Sequence, residues 1–222
     1  MAFTRYTAAG TVSLVGGGAA IVLQYLVSPL SGGDLTSAEV LEEVAANRTA
    51  MAWALVFDVP LLLAVPAMLF VGALARMRTS RLAAAATALL FFPLLMSLPP
   101  VVGFDGLAYF AAAEPDRASM VHLVDSWQGS AWFAVGLVPY ILCQLVGSVL
   151  MAIALVKART VPTWAAVAVG VWPFLATAGI ALGASPVAIT GYVVLLAGWT
   201  ACAMSLHRQA EPVRTENPLV TA

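Results

Sequence analysis

The stretch AWALVFDVPLLLAVP, residues 52–66, decides the fold. Every position but one is apolar, and the exception, Asp58, sits near its middle. With its apolar flanks it supplies the roughly 20 residues that a helix needs to cross about 30 Å of hydrocarbon. The rest of the chain agrees. Hydrophobic residues make up 62% of the 222 and charged residues only 9%, with mean hydropathy +0.95, where soluble domains carry roughly a quarter charged residues. Six segments are long enough to span: 8–30, 50–75, 82–102, 128–156, 161–183 and 185–206. None alternates in polarity as barrel strands do. The expected fold is an all-α, polytopic bundle of six transmembrane helices. It forms a single domain over 1–206, followed by a disordered tail at 207–222. The first segment is too long for a signal-peptide core and lacks an A-x-A cleavage site, so it counts as a span. Cys143 and Cys202 fall in apolar segments without metal spacing and read as small buried hydrophobes.

The charges are segregated. If six helices alternate, Arg5, Arg76, Arg78, Arg81, Lys157, Arg159, Arg208 and Arg214 fall on one side, leaving only Arg48 and Arg117 on the other. That second side carries Asp34, Glu39, Glu42, Glu43, Asp105, Glu114, Asp116 and Asp125, against Glu211 and Glu216 on the first. Basic loops stay in the cytoplasm, so both termini are expected there, in a cell-membrane protein. The inner loops are too short for a soluble catalytic domain, and no nucleic-acid partner fits them. The bilayer is the expected partner, together with further copies of the chain or another membrane subunit. On the outer side, Thr36 or Ser37 caps a predicted helix whose first turn holds Glu39. A second outer loop breaks at Glu114-Pro115-Asp116 and leads helically into the fourth span.

AWALVFDVP at 52–60 matches AWFAVGLVP at 131–139 without a gap, as A-W-x-x-V-x-x-V-P. Each is followed by a basic turn and an Ala-rich span with an internal proline, Pro93 or Pro173. The expectation is a parallel repeat of hairpins, spans 2–3 and 4–5. Asp58 then aligns with Leu137.

Asp58 lies about 8 residues, or roughly 12 Å, inside the outer end of its span. On insertion scales an Asp at a helix centre costs about 2.5–3.5 kcal/mol. One account is structural: Pro60 and Pro66 have no N–H, so the carbonyls of Val56 and Leu62 lose their helical donors, and a protonated Asp58 would serve one of them. The other is functional, with Asp58 at the floor of an outward-facing polar cavity. Gln24, Ser97, Ser130, Thr177 and Thr190 share its depth. His122, Asp125, Trp127 and Gln128 lie just above, with His122 and Asp125 on one helix face. The internal prolines of spans 2 to 5 would splay the helices and leave room.

Three function classes follow. The first is binding or transport of a small amphipathic or cationic molecule, with Asp58 as counter-ion and Gln24, Trp53, His122, Asp125, Trp127 and Gln128 as further ligand-binding candidates. Trp53 would form a stacking wall. The second is a membrane enzyme acting on a lipid or isoprenoid, with Asp58, His122 and Asp125 as acid-base groups, or with His122 and Asp125 as metal ligands. No HExxH or Gly-x-Ser-x-Gly supports it, and no cofactor is indicated. The third is an accessory or resistance subunit without chemistry. AEVLEEVAANR, AMAWALVFDVPLLLAVPAML and the basic turn before an Ala-rich span resemble a group of actinobacterial multi-helix integral membrane proteins of unknown function. The resemblance covers about half the chain and implies no activity.

Overall fold

The computed structural model describes residues 2–32 and 35–210, with side chains from Tyr6 to Ser31 and from Leu35 to Gln209. The predicted tail is therefore outside the described residues from 211 onward, as are the side chains of Arg5, Asp34, Glu211, Arg214 and Glu216. Every regular element among the described residues is helical. Six helices are long and apolar enough to cross a membrane: Tyr6–Val27, Arg48–Arg76, Ser80–Ala111, Ala131–Ala158, Thr163–Ala181 and Ser185–Gln209. The chain is an all-α, multi-pass integral membrane protein.

The first two spans are interrupted, and the interruptions meet. Span 1 comprises α1 (Ala2–Thr11), a π-helical turn (Val12–Gly16) and α2 (Gly17–Val27). Span 2 is α4 (Arg48–Leu61) and α5 (Ala64–Arg76), parted at Leu62-Leu63. The parting follows from the two prolines. With no N–H on Pro66, the Leu62 carbonyl takes its donor from Val65 at 3.2 Å, while Leu62 and Leu63 donate to Val59 and Pro60 at 3.2 and 3.0 Å. The backbone thus tightens to i→i+3 bonding and supplies Leu62 itself, without Asp58. Gly17 packs against this parting: a Cβ there would lie 2.8 Å from the Ala64 nitrogen and 3.0 Å from the Leu63 carbonyl carbon. Only glycine allows that approach of two backbones.

Span 3 departs from its predicted end at 102. The helix α6 runs from Ser80 to Ala111, 32 residues, or about 48 Å at 1.5 Å per residue. It passes through Pro99-Pro100 and Gly103 and stops only before the Glu114-Pro115-Asp116 break. Neither Gly103 nor Gly106 breaks the helix, and apart from Asp105 the residues around them are apolar. The lead-in to span 4 is a separate helix, α7 (Arg117–Gln128). Span 4 itself, α8 (Ala131–Ala158), starts afresh where the Ser130 hydroxyl accepts from the Phe133 N–H at 3.2 Å. Spans 5 and 6 are α9 (Thr163–Ala181) and α10 (Ser185–Ala210). The last helix continues through 207–210, predicted as tail, because no breaker precedes Pro212.

Two apolar cores result. The larger fills the bundle between all six spans and includes Leu14, Met68, Leu90, Met151, Trp172 and Trp199. The smaller lies at the acidic end, where α3 (Ser37–Ala46) and α7 fold over the projecting end of α6 and the start of α4. It buries Val40, Leu41, Val44, Met51, Ala108 and Val124. This helical cap is also joined by polar contacts. Ser37 donates to Asp125 and, at 3.2 Å, to Gln128. Arg48 stands 4.5 Å over the Tyr109 ring, and Arg117 donates to the Leu41 carbonyl at 3.4 Å.

The cap helix α3 begins in a full capping box: the Thr36 hydroxyl accepts from the Glu39 N–H, and the Glu39 carboxylate accepts from the Thr36 N–H at 2.8 Å. The backbone N–H and then the hydroxyl of Thr36 hold the Glu39 carboxyl below its ordinary pKa. A carboxyl whose pKa is lowered on folding stabilises the fold above its ordinary range and stops doing so as pH falls through the lowered value. Hydrogen exchange across 39–46, corrected for intrinsic rates, should therefore accelerate selectively on acidification. Thr36→Ala should accelerate it already at neutral pH, by the equivalent of about 1 kcal/mol.

Candidate functional site

Beneath the cap, three polar side chains from three spans come together. Asp58 projects from α4 and is only 4% exposed; Asp105 projects from α6 and is 7% exposed. Gln24, on α2, donates from Nε2 to Asp105 Oδ2 at 3.1 Å. The two carboxyls lie within electrostatic range of each other. The Oδ2 atom of Asp58 is buried and has no hydrogen-bond partner. Neither carboxyl is paired with a basic side chain among the described residues.

Local structure places each member. Asp58 sits one turn before the parting of span 2, on the face of α4 that also buries Met51 and Ala54. The i, i+3, i+7 spacing of Met51, Ala54 and Asp58 makes the inward stripe of a helix. Asp105 faces inward from the part of α6 that also buries Ala108 and Ala111. Gln24 lies in the last turn of α2, which packs against α4.

The other predicted members separate from this cluster. Trp53 is 55% exposed on the outside of the bundle, stacked on Phe57 at 6.3 Å. The stripe that turns Asp58 inward turns Trp53 outward. His122 is exposed on α7. Asp125 and Gln128 are engaged by Ser37 in clasping the two cap helices. Trp127 is turned inward: a Cβ on Gly103 would touch its ring at 3.3 Å, and its indole N–H is buried without a partner. Ser97, Ser130 and Thr190 bond to backbone carbonyls three or four residues earlier on their own segments, at 3.0, 2.6 and 2.7 Å. Among the described residues no three His, Cys, Asp or Glu side chains gather as a metal site would require. The open, outward-facing funnel of the sequence reading is here a closed cluster, covered by α3 and α7.

Asp105 is the member that sequence reasoning misplaced, as a charge of the outer loop. Its signal was the apolar run VVGFDGLAYF at 101–110, which carries the helix past residue 102. No protein family, no curated protein and no solved structure matches the chain.

The Gln24–Asp105 bond predicts a double-mutant cycle. Gln24→Leu should lower stability by about 1–3 kcal/mol, because it strips a buried acceptor of its donor. Gln24→Leu combined with Asp105→Leu should recover most of that loss. Reversible unfolding in mixed micelles measures both.

Proposed function

We propose that the protein is a cell-membrane protein that binds a small cationic or amphipathic cationic molecule and conducts it into the bundle. Asp58 and Asp105 supply the counter-charge and Gln24 positions Asp105. One observation carries this reading: two carboxyls are buried in one membrane bundle, and neither is paired with a basic side chain among the described residues. Intramembrane acids are costly and are retained where they handle ions, protons or charged ligands. The Leu62 carbonyl does not need Asp58, since Val65 serves it. The basic loops argue that the cap end faces outward and that both termini are cytoplasmic. The cap then acts as the cover through which the ligand enters. A lipid-processing centre built on Asp58, His122 and Asp125 is not favoured, because His122 is exposed on the cap surface and Asp125 is bound to Ser37.

Binding is tested on the full chain in nanodiscs, by titrating a panel of inorganic and organic monocations. Wild type should bind at least one class. Asp58→Asn and Asp105→Asn should each weaken that binding about tenfold or more, the weight of one ion pair or charged hydrogen bond. Asp58→Leu should raise thermal stability while abolishing binding. Stability gained with binding unchanged refutes the role of Asp58, and a wild type that binds no cation refutes the whole reading. Orientation is checked with single cysteines: Glu42→Cys should react with an impermeant maleimide in intact cells, and Arg78→Cys only after permeabilisation.

A further inference from the structure

Span 4 carries a polar stripe inside the bundle. Tyr140, Gln144 and Ser148 are spaced i, i+4, i+8 and so share one face of α8. Gln144 is 3% exposed and Ser148 fully buried. Gln144 Nε2 reaches the Tyr140 hydroxyl at 3.4 Å, but Gln144 Oε1 and Ser148 Oγ have no partner. Ser148 is unusual in this. Thr87, Thr200 and Ser205 all donate to the carbonyl four residues back, at 2.6, 2.8 and 2.9 Å, as hydroxyls in membrane helices commonly do. Gln144 lies near the middle of α8, and Gly170 of α9 packs over the Ser148 carbonyl.

An aromatic group lies near the Tyr140 end of this stripe. Tyr192 of α10 lies 4.9 Å from Tyr25 and 5.9 Å from Trp172, and it is within electrostatic range of Tyr140. Tyr140, Tyr192 and Trp172 belong to one packed cluster. Tyr25 directly follows Gln24, so one turn of span 1 touches both the acid cluster and this aromatic group.

Two orphaned acceptors on the helix face that carries Tyr140, with the aromatic group near its end, are suited to a positive group that can donate hydrogen bonds. From this juxtaposition we infer a second, midplane site that receives the ammonium head of a protonated primary or secondary amine. Gln144 Oε1 and Ser148 Oγ accept its N–H groups, and Tyr25, Tyr192 and Trp172 face its charge. The inference rests on the proposed cation-binding function and narrows it. The acids attract any cation, whereas the midplane site selects those with N–H donors. A quaternary ammonium satisfies the rings and leaves both acceptors unpaired, which a buried site penalises strongly.

The test compares phenethylammonium with its N-trimethyl counterpart by calorimetric titration of the full chain in nanodiscs, with empty discs as blank. Wild type should prefer phenethylammonium by about tenfold or more, the weight of one charge-assisted hydrogen bond. Gln144→Leu should collapse that preference while the trimethyl compound binds as before, and Ser148→Ala should reduce it. Tyr192→Leu should weaken both compounds alike. Gln144→Leu replaces a buried amide whose Oε1 is orphaned, and whose Nε2 makes only a 3.4 Å contact, by an apolar group of similar size, so it should fold; Gln144→Met is the second variant. If Gln144→Leu or Gln144→Met keeps the preference and only raises the melting temperature, the midplane site is overturned and the stripe is structural or hydrated. Asp58→Asn separates the two readings: loss of both ligands there, with Gln144→Leu silent, leaves the acid site standing and the midplane site refuted. Collapse of the preference in Gln144→Leu with Asp58→Asn silent does the reverse. A wild type that binds neither compound ends both.

Discussion

Inside a bilayer a polar group has no water to turn to, and the fold is arranged around that constraint. Asp105 meets it with one bond, the 3.1 Å contact from Gln24. The backbone of span 2 meets it by tightening at Leu62-Leu63, where the prolines withdraw two donors. That tightening parts the helix, and the parting gives span 1 a place to seat Gly17. Gly16 and Gly17 therefore have a packing role that follows from the prolines of a different span. The close approach also helps bring α2 alongside α4, and with it Gln24 to the depth of the acids. Asp58 is one of the places where the constraint is left unmet.

The cap belongs to the same argument. A buried carboxyl remains costly only if water is kept away, and α3, α7 and the projecting end of α6 do this. Their apolar faces form the second core, while their polar residues are spent on one another: Ser37 on Asp125 and Gln128, Arg48 on Tyr109, Glu39 on Thr36. Residues that seemed to line a funnel when read along the chain instead close it. The short helices of this cover are joined to the spans through breaks at Asn47, Ala112–Asp116 and Gly129-Ser130.

What could be read from the residues divides along physical lines. Spans were legible because length and hydropathy alone decide them, and all six ends nearest the basic loops fall within about three residues of their predicted places, the usual latitude of helix ends. The capped helix at 37–46 was legible because a capping box is local. Asp58 and Gln24 were legible as anomalies of depth. Asp105 was not, because a hydropathy window ends at the first charge and cannot tell a loop acid from one that an extended helix carries inward. The stripe Tyr140, Gln144, Ser148 was written at helical spacing, but which face of a uniformly apolar helix points inward depends on its neighbours. The side on which Trp53 stands, outward and exposed, depends on the same neighbours.

The two matching stretches at 52–60 and 131–139 show what kind of likeness they carry. Their shared large residues are Trp53, Val56 and Val59 in one, and Trp132, Val135 and Val138 in the other, and all six are exposed on the outside of the bundle. At a spacing of three they form the same lipid-facing ridge on two helices that enter from the capped end. The inward positions differ. Asp58 is buried where Leu137 is only half-buried, and Gly136 packs against Pro100 where Phe57 stacks beside Trp53. Span 2 parts after its proline and span 4 runs unbroken through Pro139. Lipid asks the same of both helices, so their outer faces agree whatever their history. The interior asks different things of each, and the carboxyl stands on the face where lipid has no say.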